Sequence, residues 1–196
     1  MSISSKDFWG QFGKFVSTIP KPYVDALLVL HEKLDSKNIK WVVSGDLAEL
    51  LRIIKVEPDF IEILTSKNDA HLILQAFQEF EPKQIVFQTQ QLSRNALVEG
   101  KEYPVYARSY YFEFRLNTVR VKVEGDLQFK VDDWEWGDAL DFTPEYVCVV
   151  GKKIAVTPLS IALQLYESLG WTDRVEKIRE VTQRIRGQQN RNAKQR

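Results

Sequence analysis

The stretch from Trp41 to Ser66, WVVSGDLAELLRIIKVEPDFIEILTS, is compatible with few folds. Trp41, Val42 and Val43 form a short apolar run that ends at Ser44-Gly45. Leu47, Leu50, Leu51 and Ile54 then recur at helical spacing, and beyond Pro58 a second apolar run spans Phe60 to Leu64. The predicted order is strand, small-residue turn, short helix, strand. A helix opening directly after Ser44-Gly45 presents unbonded N–H groups and the positive end of its dipole, which suits a phosphate. Along the second strand side chains alternate faces, so Ile61 and Ile63 share one side and Phe60, Glu62 and Leu64 the other.

A chain of 196 residues with 44% hydrophobic content supplies one sizeable core, and two full domains would be crowded. The 27 basic and 27 acidic residues cancel, so net charge gives no support to general polyanion binding. The single cysteine, Cys148, cannot form an internal disulfide and is read as a small buried residue in the run Tyr146 to Val150. No apolar run approaches the roughly 20 residues that span a bilayer, and the first residues lack a signal-peptide core. The expectation is a cytoplasmic protein with no membrane partner. Dinucleotide, Walker, zinc and nucleophile-elbow motifs do not occur in the sequence.

The rest of the chain reads as follows. An aromatic segment at 1–19 carries Phe8, Phe12 and Phe15 and suits docking on the main body or on a second copy. Helices are predicted at Tyr23–Ser36 and Lys67–Glu81, the second with Ser66 as N-cap and Asp69 completing it. His31 and His71 fall in these helices without a second ligand at metal spacing and are read as packing or surface residues. Gln84–Phe87 is a short strand, and residues 88–104 a polar loop or hairpin. Tyr110–Leu116, Thr118–Glu124 and Leu127–Val131 are strands. Residues 132–138 (DDWEWGD) lack calcium-loop spacing and read as an acidic loop with anchored tryptophans. A hairpin turns at Gly151-Lys152, and helices Pro158–Leu169 and Thr172–Arg186 close the chain around Gly170. From Asp173 onward there are eight Lys/Arg against three Asp/Glu. A solvated helix face with a disordered tail at 187–196 is favoured there over a nucleic-acid contact, which stays open.

The organising stretch resembles the nucleotidyltransferase superfamily with the polymerase-β-type fold, in its small minimal-type branch. There a small-residue turn opens a helix, the next strand carries Asp-x-Asp for two magnesium ions, and a later strand gives a third carboxylate. Val123-Glu124-Gly125-Asp126-Leu127-Gln128 is similar to that later strand and its exit. Thr157-Pro158-Leu159 with Gly170-Trp171-Thr172-Asp173-Arg174-Val175 is similar to the closing helical hairpin. The resemblance covers roughly residues 20–186. It implies an α+β fold: a mixed sheet packed by helices on one face, a core at 20–156 and a C-terminal helical hairpin at 157–186.

Carried over position by position, the resemblance puts Phe60, Glu62 and Lys122 where active members have three acids. Two cations about 3.5–4 Å apart need several anionic oxygens, and one carboxylate beside a lysine does not supply them. Glu62–Lys122 is expected as a cross-strand ion pair. The leading reading is an inactive derivative with no metal cofactor. It keeps Ser44, Gly45 and Lys122 as a nucleotide or phosphate site, or else binds a protein partner or a second copy. The alternatives are an active transferase using magnesium on Glu62 with Asp59, and a structural scaffold. A different single-metal site from Glu62, Glu124 and Asp126 is the remaining option.

Overall fold

Pro22 lies in the first turn of α1 (Lys21–Asp35), where the missing N–H is not needed. This helix buries Ala26, Leu27, Leu30 and Leu34, the stripe its periodicity predicts. The computed structural model describes residues 19–52 and 54–194, with side chains through Arg184. The aromatic segment expected to dock from residues 6–17 lies outside the described residues.

The organising stretch folds in the predicted order: β1 (Val42–Ser44), α2 (Gly45–Leu50), then β2 (Ile61–Thr65). α3 (Lys67–Ala76) starts at Ser66, whose hydroxyl accepts from the Asp69 amide at 3.0 Å. It stops short of the expected Glu81, ending in a single 3-10 turn at Gln78–Phe80 ahead of Pro82. The strands that follow are β3 (Val86–Gln91), β4 (Ala96–Val98), β5 (Lys101–Tyr103), β6 (Val105–Leu116), β7 (Val119–Val131), β8 (Glu145–Val149) and β9 (Lys152–Val156). The hairpin α4 (Leu159–Ser168) and α5 (Thr172–Lys194) completes the described chain.

Seven strands form one sheet in the order β3-β6-β7-β2-β1-β9-β8. β1/β9 and β2/β7 are parallel and the other neighbours antiparallel. Ile61, Ile63, Val121 and Val123 face α1 and α3 and form the main core with Leu27, Leu30, Ile73 and Phe77. The opposite side is covered by smaller clusters around Leu64, Ala107 and Leu127, and around Ala96, Val105 and Leu169. The architecture is the expected mixed α+β sheet with a C-terminal helical hairpin.

β7 and α5 differ from the sequence reading, while a hairpin, one of the two forms expected of residues 88–104, is present. β7 is one 13-residue strand rather than two. A register shift between Arg108 and Tyr110 on β6 absorbs the irregularity at Gly125-Asp126, where Asp126 has φ 51°. The polar stretch 88–104 holds the β4–β5 hairpin, which docks on the junction of α4 and α5. There Gly170 has φ 66°, and a β-carbon on it would lie 2.3 Å from the Leu97 carbonyl oxygen. Leu97 N–H donates to Leu169 O at 2.9 Å and Trp171 Nε1 to Asn95 O at 2.7 Å. α5 also runs to Lys194, past the boundary drawn at 186.

Candidate functional site

β1 and β2 run side by side with Ser44 opposite Glu62, and β7 sets Lys122 opposite Glu62 and Glu124 opposite Leu64. These pairings bring Ser44, Gly45, Glu62 and Lys122 together, as the alternation of β2 and β7 implies. The Ser44 hydroxyl donates a hydrogen bond to the Glu62 carboxylate. Gly45 turns the chain with φ 61°, and a β-carbon there would lie 2.8 Å from Glu62 Oε2. The carboxylate therefore rests against the bare backbone at the start of α2, an approach glycine alone permits without displacement.

Phe60 lies just ahead of β2, and its ring carries two cations. Lys122 Nζ is 3.7 Å from the ring centroid and the Arg120 guanidinium 5.2 Å. Cation–π contact of this kind stabilises by about 0.5–2 kcal/mol depending on exposure. The expected Glu62–Lys122 ion pair does not form: the lysine turns to the ring and makes no salt bridge with either neighbouring acid. Asp59 is exposed in the bend before β2, beside Tyr23, and neither it nor Phe60 or Lys122 lines the cleft. Asp126 also leaves the site, accepting the Lys67 amide at 3.1 Å at the start of α3.

The cleft between the sheet and the hairpin is about 200 Å³ and mostly apolar. Glu62 and Glu124 both line it. Burial raises Glu62 above the ordinary carboxylate range, with Asp46 adding to the rise against the Ser44 hydrogen bond and Lys122. Burial and the Glu62 charge push Glu124 up to about 8, with Lys122 opposing. On the rim, Glu49 is 3% exposed, accepts Tyr166 OH at 2.7 Å and pairs with Arg174 at 2.9 Å. Arg174 also pairs with Asp46 at 2.7 Å, and buried Arg52 reaches Glu145 at 2.7 Å. Burial pulls Arg52 below the usual guanidinium value, and Glu145 offsets part of this.

Among the described residues, no three His, Cys, Asp or Glu side chains gather closely enough to hold a metal ion. The donor set of Phe60, Glu62 and Lys122 does not fit a pair of magnesium ions. The strand order, the Ser44-Gly45 turn and the hairpin closing the cleft are together distinctive.

The fold is that of the nucleotidyltransferase superfamily.

TM1012 of Thermotoga maritima, described as a candidate nucleotidyltransferase, superposes with a TM-score of 0.59 at 25% identity over 85% of this chain and 96% of its own. ANT(2")-Ia, solved in complex with adenylyl-2"-tobramycin, gives 0.44 at 8% identity over 82% of this chain and 90% of its own. No family model and no curated protein sequence matches the chain. Within the nucleotidyltransferase fold, the sequence reading missed Glu49, Arg52, Tyr166 and Arg174. Glu49 falls on the face of α2 opposite the Leu47, Leu50, Leu51 and Ile54 stripe, where periodicity predicts a solvated acid, so no local signal marks its burial or its partner.

The other candidates resolve simply. His31 Nδ1 lies 2.8 Å from Asp35 one turn away, and His71 is exposed. Of the two tryptophans expected to anchor the acidic loop, Trp136 lies under Arg108 at 4.3 Å, whereas Trp134 is 51% exposed. Cys148 is half-buried and free rather than fully enclosed.

Proposed function

We propose that this protein is a nucleotidyltransferase-fold member that does not transfer nucleotides and uses its cleft mouth to bind a phosphate-bearing ligand. One observation carries the reading: an aromatic ring and an ammonium group, Phe60 and Lys122, lie 3.7 Å apart where working relatives are expected to hold metal-binding acids. The lysine brings the positive charge that a metal would have supplied. Glu62, pushed toward its neutral form by burial, repels an incoming phosphate less than an exposed carboxylate does. Ser44 and Gly45 then offer backbone N–H groups to the phosphate, and Lys122 offers its ammonium.

Three measurements on the full chain test this. Incubation with labelled nucleoside triphosphates and magnesium is expected to transfer no label. Calorimetric titration with manganese is expected to show no micromolar site. Triphosphate without metal is expected to raise Tm, and Lys122→Ala to abolish the rise. Label transfer, or a micromolar manganese site, would overturn the reading in favour of an active enzyme using Glu62 and Asp59. No Tm rise with any triphosphate would leave a structural or protein-binding role.

A further inference from the structure

Beyond the Ser44-Gly45 turn most of the cleft wall is apolar. Leu64, Leu127 and Phe129 line it from the sheet, and Leu165, Tyr166 and Trp171 from the hairpin. Tyr166 and Trp171 stack with centroids 5.5 Å apart. Two acids interrupt this wall. Glu62 has the Ser44 hydroxyl as a partner. Glu124 is 4% exposed, faces the cavity and makes no hydrogen bond with any described residue. Nearly all buried polar side chains in folded proteins have a partner, so one left without is a signal.

Among the described residues, none of the nearby cations forms an ion pair with these two acids, although Lys122 offsets part of their charge. Lys122 lies over Phe60, Arg174 pairs with Asp46 and Glu49, and Arg52 pairs with Glu145. Two neighbouring carboxylates in an apolar wall cannot both stay ionised without a further positive charge. Two carboxylates from neighbouring strands in the wall of a small apolar cavity match a group with several N–H donors and one positive charge.

We propose that this cavity binds a small primary amine with a compact apolar body, its ammonium set between Glu62 and Glu124 and its hydrocarbon or aromatic part against Leu165, Tyr166 and Trp171. An ammonium has three donors for the two carboxylates and lets both ionise together. The apolar body leaves water for a wall of matching character. Anions are repelled by the same acids, so this subsite is chemically distinct from a phosphate site at the mouth. Amine binding requires no nucleotide at the mouth, although both sites adjoin Glu62.

The test uses the full chain without nucleotide or metal, so its outcome is separable from the assays above. Benzylamine, benzyl alcohol and benzoate are titrated by calorimetry near neutral pH. Benzylamine is expected to bind about tenfold or more tighter than benzyl alcohol, the scale of one charge-assisted hydrogen bond, and benzoate not at all. Glu124→Gln is expected to remove most of that preference while leaving benzyl alcohol unchanged. Ala162→Phe, which fills the cavity from α4, is expected to abolish both with an unchanged circular dichroism spectrum. Equal affinity for amine and alcohol, an amine preference unaffected by Glu124→Gln, or no binding of benzylamine to the wild-type chain would each overturn the proposal. Should Ala162→Phe fail to fold, the amine-to-alcohol ratio in the wild-type and Glu124→Gln proteins decides.

Discussion

Glu62 rests against Gly45, and both residues are held by that closeness. A side chain on Gly45 meets a left-handed backbone, φ 61°, and a carboxylate oxygen 2.8 Å away. Gly45→Ala is expected to cost about 2 kcal/mol, seen as a lower urea midpoint with an unchanged slope. Glu124 makes a second prediction. Its folded value, about 8, lies above that of an exposed glutamate, so between the two the native state binds the extra proton. Its contribution to stability is therefore full below the ordinary carboxylate range and is lost as pH rises through about 8. Glu62, also raised, acts in the same direction. Glu124→Gln stays neutral, so its urea midpoint should match wild type near pH 5 and exceed it by pH 9. The difference there should be on the order of a few kcal/mol. An identical pH profile in the two proteins would refute the assignment. Alternation in β2 and β7 was enough to put Glu62, Lys122 and Glu124 on one face. It did not show that Lys122 would choose the Phe60 ring over the carboxylate.

α2 and the hairpin α4–α5 are joined by one polar knot. Glu49 accepts from Tyr166 and Arg174, and Arg174 also holds Asp46. Burial, and then the Glu49 carboxylate beside it, push the Tyr166 hydroxyl well above its ordinary value. Arg174→Met leaves Glu49 enclosed without its cation and is expected to cost about 3 kcal/mol. The exposed pair Arg184–Glu180 on α5 is a control, and Arg184→Met should cost under about 0.5 kcal/mol. Chemical denaturation of both variants checks the contrast, and equal losses would contradict it. Arg174, Arg179 and Arg184 all have carboxylate partners within the chain, which fits the solvated-face reading of this basic helix. The helices α1 and α3 were legible because each carries a full apolar stripe. The β4–β5 hairpin was less so, since its exposed residues alternate weakly and its position is set by Gly170 and Trp171.

At the scale of the molecule, β1 and β2 lie at the centre of the sheet, with neighbours drawn from far along the chain. The hairpin seals the face opposite α1 and α3, and Ile54 packs there against Ile178 and Val181. A chain ending at residue 157 would uncover that face. It is expected to bind a hydrophobic dye and to unfold without a cooperative transition. Sharp two-state unfolding of the shortened chain would show that the hairpin is dispensable to the core. Among the described residues no helix is long and apolar enough to cross a membrane.

The sequence alone determined the local order of strand, turn, helix and strand, and which side of each strand meets the helices, because both follow from periods of two and 3.6 residues. The same alternation put an aromatic ring and an ammonium group on the Glu62 face of the sheet. Only the tertiary structure decided that Glu124 is enclosed without a partner, that Glu49 meets an arginine 125 positions away, and that an apolar chamber closes over two acids. Those outcomes depend on which distant surfaces come into contact and exclude water, and no local pattern in the chain encodes that.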